Sequence, residues 1–266
     1  MNVIGLLGRI SSGKTTFLAS VYKSLLEPVL LKNHLFVLFR TSNDQYLDVQ
    51  LKYLMDHEFP PPTTGYNMQQ FMISSQEGES RNITFSTLDI SGKDLDDLVD
   101  NLSSIEKDAL KNPDTINDEK LRGLLKSFEQ FRGIVLFVDP GISSLKEAWK
   151  QDLLLWRLMH LSRVYHEKRV GKSLKLPIAV VMSKLDRFKL TGKASSYESE
   201  EVKKWCSDIS GIPRTVSFLE ENSPNHLYFG VSSTNKTKFK KKREYPIDFS
   251  PVNVLQPVVW LLDSMV

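Results

Sequence analysis

Gly8-Arg9-Ile10-Ser11-Ser12-Gly13-Lys14-Thr15 has the form G-x-x-x-x-G-K-T. The apolar run Val3-Ile4-Gly5-Leu6-Leu7 precedes it, and Thr16-Phe17-Leu18-Ala19-Ser20-Val21-Tyr22 follows. The order is strand, glycine-bounded loop, helix start, which is the setting a phosphate-binding P-loop requires. The glycines let the backbone curl so that successive N–H groups face a phosphate, and the helix N-terminus adds partial positive charge. Lys14 then reaches the terminal phosphates, and the Thr15 hydroxyl holds a magnesium ion. Gly8, Arg9, Ile10, Ser11, Ser12, Gly13, Lys14, Thr15 and Thr16 are the expected nucleotide contacts, with Lys14 also catalytic. The plain alternative is a strand-to-helix turn without a ligand. Average residue usage produces the pattern by chance in about one chain in a hundred of this length.

Working outward, the 266 residues and 41% apolar content suit one elaborated α/β domain over residues 1–266. A strand and a helix are expected as an insertion at about 32–58, with His34–Arg40 as the strand and Ser42-Asn43-Asp44-Gln45 as a capping box. The formal net charge of +3 is too small to argue for nucleic acid or membrane by itself. Cys206 is the only cysteine, which excludes an intrachain disulfide and fits a reducing cytoplasm. Met1-Asn2 leads straight into the first strand without a basic segment, so no signal peptide is expected. No apolar run reaches the ~20 residues of a bilayer span, and Pro257–Leu262 reads as a closing helix on the sheet.

Strands and helices then alternate. Tyr66–Ser75 and Arg81–Ile90 flank Gln76-Glu77-Gly78-Glu79-Ser80 and read as a hairpin. Asp94–Leu110, Glu119–Phe131, Ser143 to about Arg169 and Tyr197 to Ser207 have helical periodicity. Gly133–Val138, Ile178–Met182 and Leu227–Val231 are continuous apolar strands of the kind buried on both faces. The expected fold is a doubly wound, mostly parallel sheet with one antiparallel strand.

Two further motifs close strands. Asp89-Ile90-Ser91-Gly92 ends the strand Ile83–Leu88, where Asp89 can hold magnesium through water and the Gly92 N–H can sense a γ-phosphate. Ser183-Lys184-Leu185-Asp186 follows Pro177–Met182. Here the chain resembles the P-loop GTPases, whose base-recognition motif N/T-K-x-D occupies such a position. The resemblance implies that Asp186 accepts guanine N1–H and the 2-amino group, that the Lys184 stem covers the ring, and that Ser183 ties this loop to the P-loop. Ser183 departs from Asn or Thr but keeps a hydroxyl. Val231-Ser232-Ser233 lies where the family carries S-A-x, so Ser232 and Ser233 become candidate guanine contacts. Thr63 or Thr64, after Pro60-Pro61-Pro62, resembles the switch threonine that reaches magnesium and the γ-phosphate.

The motif order and the hairpin before D-x-x-G resemble the translation-factor-related class of GTPases. Phe59-Pro60-Pro61-Pro62-Thr63, the insertion before it, and Val138-Asp139-Pro140 resemble the bacterial double-GTPase families. That likeness implies GTP/GDP and Mg2+ as ligands, a protein effector or second GTPase as partner, and a role in bacterial conflict or antiviral defence. Two departures stand out. Lys93 follows D-x-x-G where small GTPases place Gln, and as a cation it cannot accept a water proton. Ile10 stands where those loops favour Gly. Slow intrinsic hydrolysis is the expectation.

The rival reading is an ATPase or small-molecule kinase using Asp139 as its metal aspartate, or a catalytically weak nucleotide-binding scaffold. His160 and His166 are spaced six apart on one helix and read as surface or packing residues. Trp149 and Trp156 share a face and read as core. Cys206 reads as a packed thiol. Lys236-Thr237-Lys238-Phe239-Lys240-Lys241-Lys242-Arg243 holds six cations in eight residues and reads either as a solvated loop or as a contact for an anionic partner.

Overall fold

In the computed structural model, the apolar run ahead of the glycine loop forms β1 (Asn2–Leu7), and the loop turns directly into α1 (Lys14–Ser24). The structure describes residues 2–9, 11–27, 29–31, 34–39, 45–61, 67–75, 81–89, 119–142, 144–170, 175–188, 199–234, 236–240 and 243–265. β1 is flanked on one side by β5 (Arg81–Asp89) and on the other by β6 (Phe131–Val138), both parallel to it. β7 (Ile178–Met182) and β8 (His226–Gly230) continue the parallel set, in the order β5-β1-β6-β7-β8. This is the doubly wound sheet expected from the sequence.

Its antiparallel part is larger than expected. β4 (Asn67–Ser75) pairs antiparallel with β5 from Asn67↔Asp89 to Ser75↔Arg81, and β3 (His34–Phe39) and β2 (Val29–Leu31) add two further antiparallel pairings. Two strands, β4 and β2, therefore run against the parallel set, where one was expected. Val29-Leu30-Leu31 is too short a run to announce itself, and only its pairing with β3 across a two-residue connection makes it a strand. The helix expected at Asp94–Leu110 and the capping residues Ser42, Asn43 and Asp44 lie outside the described residues.

Strand residues alternate between two helical layers. Ile134, Leu136 and Val138 of β6 join one core with α3 (Glu119–Gln130), α4 (Leu145–Val170), α5 (Ser199–Asp208) and α6 (Pro213–Asn222). Val135 and Phe137 join the other with α1, α2 (Gln45–Met55) and α7 (Gln256–Ser264). Burial on both faces is why these strands read as unbroken apolar runs. Phe17 of α1 packs edge-to-face on Phe137, ring centroids 5.1 Å apart, and so seats the helix that starts at the glycine loop. Among the described residues no helix is long and apolar enough to cross a membrane.

α6 was not expected from the sequence, and its stabilisation explains why. Its N-cap, Ile212, offers no side-chain acceptor. The cap comes from α4 instead: Asp152, buried, accepts the Arg214 N–H at 3.1 Å, the Thr215 N–H at 2.9 Å and the Thr215 hydroxyl at 2.8 Å. A carboxylate placed this way satisfies orphan helix donors and opposes the helix dipole. Asp152→Ala should cost about 2 kcal/mol in urea denaturation, because two helix N–H groups lose their acceptor, while the Thr215 hydroxyl keeps the main-chain carbonyl of position 152 at 3.1 Å. Asp152→Asn, which keeps one acceptor oxygen, should lose less; equal loss would place the effect in packing.

Three side-chain expectations resolve as follows. Trp149 is not core: it is 51% exposed, beside Leu145 at 91%, while Trp156 on the same flank is partly buried. Seven-residue spacing does put both rings on one flank of α4, but spacing does not say whether a neighbour covers it. His160 stacks on Trp156, and His166 is buried, so both are packing residues. Cys206 is fully buried, and burial pushes its thiol up to about 12, which leaves it inert. The basic run is also more ordered than a loop. β9 (Lys236–Lys240) and β10 (Arg243–Asp248) pair antiparallel as a ribbon separate from the main sheet.

Candidate functional site

The P-loop segment lies at the carboxyl end of β1, between β5 and β6. Gly8 is required there by a close approach: a Cβ would come within 2.8 Å of Phe137 Cβ and 2.9 Å of Ser12 Oγ. Gly13, with φ at 92°, takes the left-handed turn that begins α1, and the Phe17 N–H bonds the Gly13 carbonyl at 2.8 Å. Lys14 is buried beneath the loop. Its Nζ donates to the carbonyls of Gly8 at 2.9 Å and Arg9 at 3.0 Å, so a cation sits in the loop's concavity. Ser12 Oγ is buried without a hydrogen-bond partner. Small residues, an ammonium and an orphaned hydroxyl together fit a phosphate. Ile10 lies outside the described residues.

The second expected segment is tied to the first. Ser183 Oγ reaches the Ser12 carbonyl at 2.8 Å and the Val138 carbonyl at 3.2 Å, so this hydroxyl makes the link that the resemblance implied. Lys184 adopts φ 59°, and its Nζ is 2.5 Å from Asp139 Oδ2. Asp186 begins the second position of a short 3-10 helix (Leu185–Phe188), and its Oδ1 accepts the Ser232 hydroxyl at 2.7 Å. The Leu185 N–H bonds the Val231 carbonyl at 3.2 Å, which joins the loops after β7 and β8.

Of the two serines after β8, Ser232 does a different job from the one expected. It is buried, its N–H is given to the Val252 carbonyl at 3.1 Å, and its hydroxyl shares one proton between Asp186 Oδ1 at 2.7 Å and the Thr234 carbonyl. It is a positioning group for the carboxylate. Ser233 is partly exposed, and its carbonyl accepts from Ser20 Oγ of α1 at 3.0 Å. Three segments are thus cross-linked at one end of the sheet, across 171, 213 and 46 residues of chain: Ser183 to Ser12, Ser20 of α1 to Ser233, and Ser232 to Asp186.

Two aspartates flank β1 at this end. Asp89 closes β5, opposite Asn67 of β4. Asp139 follows β6, and both of its oxygens are engaged: Oδ2 by Lys184 and Oδ1 by the Gly141 N–H at 2.8 Å. A carboxylate so occupied anchors the loop after β7, and this counts against the rival reading of Asp139 as the metal aspartate. Thr15 and Thr16 are partly exposed in the first turn of α1. Thr63, Thr64 and Gly92 lie outside the described residues, as does Lys93.

Sequence reasoning missed Glu147. Arg9 of the P-loop donates from Nη2 to Glu147 Oε2 at 2.7 Å and from Nη1 to the Glu147 carbonyl at 3.2 Å. The Arg9 hydrogen bond, followed by that of Lys150, holds the Glu147 carboxyl below the usual carboxylate range. No local signal announces a pair 138 residues apart.

The sequence matches no protein-family description and no curated protein. One solved structure to which it is similar is Methanosarcina barkeri Roco2 RocCORdC bound to GDP, at 14% identity and a TM-score of 0.33, over 87% of this chain and 43% of that one. The chain thus spans less than half the length of that protein. A likeness of this size does not say which ligand this chain takes.

Proposed function

We propose that this chain is a GTP-binding protein, a P-loop GTPase whose single domain switches state with its nucleotide. The observation that carries the reading is the cross-linking of the loops after β1, β7 and β8. It brings a phosphate cradle and a serine-oriented aspartate to one end of a parallel sheet, where such folds bind ligands. In this reading the P-loop N–H groups and Lys14 neutralise the phosphates, and Asp186 accepts the guanine N1–H and 2-amino groups. Lys184 covers the base with its stem, and Ser233 contributes a backbone contact. Thr15, Asp89 and one of Thr63 and Thr64 would hold Mg2+, which supplies charge neutralisation between the terminal phosphates. Gly92 senses the γ-phosphate.

Lys93 occupies the place after D-x-x-G and cannot accept a proton from water. Intrinsic hydrolysis therefore runs near or below the ~10⁻³ s⁻¹ of GTPases lacking an activating partner. A protein effector, or a second GTPase as in the double-GTPase families, supplies the missing group, and a cytoplasmic bacterial defence system is the proposed setting. The test is single-turnover hydrolysis by the purified protein, combined with chromatography of any nucleotide released on denaturation. Guanine nucleotide and a slow rate are expected. Adenine nucleotide would favour the ATPase reading, and turnover at about 1 s⁻¹ or faster would mean another residue positions water.

A further inference from the structure

Helices α4 and α6 lie side by side and run in the same direction. Asp152 of α4 accepts the Arg214 and Thr215 N–H groups at the start of α6, and further along α4 Arg163 donates to Asn222 Oδ1 at its end. An open cleft of about 370 Å³ runs between them, lined by Trp156 of α4 and by Arg214, Ser217, Phe218 and Glu221 of α6. His160 joins the two rings, stacking on Trp156 and meeting Phe218 edge-on. Trp149 and Leu145, both exposed, continue this flank of α4 beyond the Arg214 end of the cleft. The charges sit at the two ends. Arg214 and Glu221 are two turns apart on one face of α6, about 10 Å along the helix, with Ser217 between them. Both are exposed, and among the described residues neither side chain has a hydrogen-bonding or ionic partner.

We infer that this face binds a second copy of the chain about a two-fold axis close to Ser217. That axis lays α6 antiparallel on its mate. It brings Arg214 against Glu221 of the partner subunit, and Glu221 against Arg214 of the partner subunit. A patch with opposite charges on either side of a small central residue is its own complement, which is what an isologous dimer requires. The apolar cleft supplies the attraction, and Leu145 and Trp149, which the single chain leaves in water, are covered. The face measures about 27 Å from Leu145 to Arg163 and about 20 Å across the two helices, hence ~500 Å² a side and ~1,000 Å² in all, where specific interfaces begin. α4 also carries Glu147, which clasps Arg9 of the glycine loop, so one helix joins this face to the candidate phosphate cradle. The inference stands apart from the guanine reading, and its test contains no nucleotide.

The experiment is sedimentation equilibrium of the whole chain from about 1 to about 200 µM in about 50 mM salt, where rim charges are least screened. The mass should double, with a midpoint on the order of 10 µM. Arg214→Glu and Glu221→Arg each set like charges opposite one another twice, and each should weaken association at least tenfold. Mixed together, these two variants should pair as the unaltered chain does, because each then meets its opposite. The double variant Arg214→Glu/Glu221→Arg should regain the dimer for the same reason. Trp149→Ser should weaken association at least tenfold and leave circular dichroism unchanged, since the ring is exposed. A chain that stays monomeric throughout overturns the inference and leaves the cleft to a helix of another protein. A dimer that all three single variants leave intact overturns it too, as does failure of the two folded charge variants to pair. Should Arg214→Glu misfold beside Asp152, Glu221→Arg and Trp149→Ser decide: weaker association in both supports the inference, and unchanged association in both sinks it.

Discussion

Asp186→Asn is expected to lower GTP affinity at least a hundredfold, about 2.8 kcal/mol, and to raise affinity for xanthosine triphosphate. Guanine offers two donors, N1–H and the 2-amino group, and a carboxylate supplies two acceptors. The asparagine amide turns one acceptor into a donor, which opposes the 2-amino group and matches the 2-carbonyl of xanthine. A site that leaves such groups unpaired rejects its former ligand strongly. The structure adds a reason to expect a clean result. Ser232 donates to Asp186 Oδ1, an atom that asparagine retains as an acceptor, so the 3-10 helix should keep its place and the melting temperature its value. Calorimetric titration with GTP, ATP and xanthosine triphosphate is the measurement. In the unaltered chain GTP should be favoured over ATP at least tenfold; equal affinities would sink the guanine reading and promote the ATPase alternative.

Lys14→Ala should abolish measurable triphosphate binding at the concentrations that saturate the unaltered chain, a loss of at least a hundredfold. An ammonium in a loop of N–H donors is the main counter-charge for the terminal phosphates, and alanine leaves those phosphates repelling one another. The chain should still fold. Lys14 Nζ bonds two loop carbonyls, Gly8 and Arg9, and its loss costs about 1–2 kcal/mol of local stability against two apolar layers that do not involve it. Circular dichroism of the apo-protein should be unchanged, with melting lowered by a few degrees at most. Lys14→Met separates the two roles, since it keeps the stem and removes the charge: it should match Lys14→Ala in binding and exceed it in stability. Collapse of the apo-fold in both variants would make Lys14 a structural residue.

The elements legible in the sequence are those whose cause is local. Residues Gly133–Val138 of β6 and all of β7 are an unbroken run without a polar side chain because both faces are covered, and no partner need be known to read them. The glycine loop was legible for the same reason: Gly13 takes a left-handed turn whatever lies around it, and the helix start follows in the next residue. The basic run announces its charge in the sequence, whereas its pairing with Arg243–Asp248 as an antiparallel ribbon depends on a partner strand that its own residues do not name.

The sequence by itself determined the doubly wound class and the strand, glycine loop and helix start at Gly8–Lys14. Each follows from periodicity or from backbone sterics within a few residues. Only the tertiary structure decided that Ser232 orients Asp186 instead of offering its N–H, that Asp139 holds Lys184, that Arg9 is clasped by Glu147 and that α6 is capped from α4 by Asp152. It also decided that Trp149 stands half in solvent. In the four hydrogen-bonded cases the decisive partner lies between 45 and 138 residues away along the chain. A hydrogen bond, unlike a periodic apolar stripe, leaves no trace in the neighbouring letters until folding brings donor and acceptor to within about 3 Å.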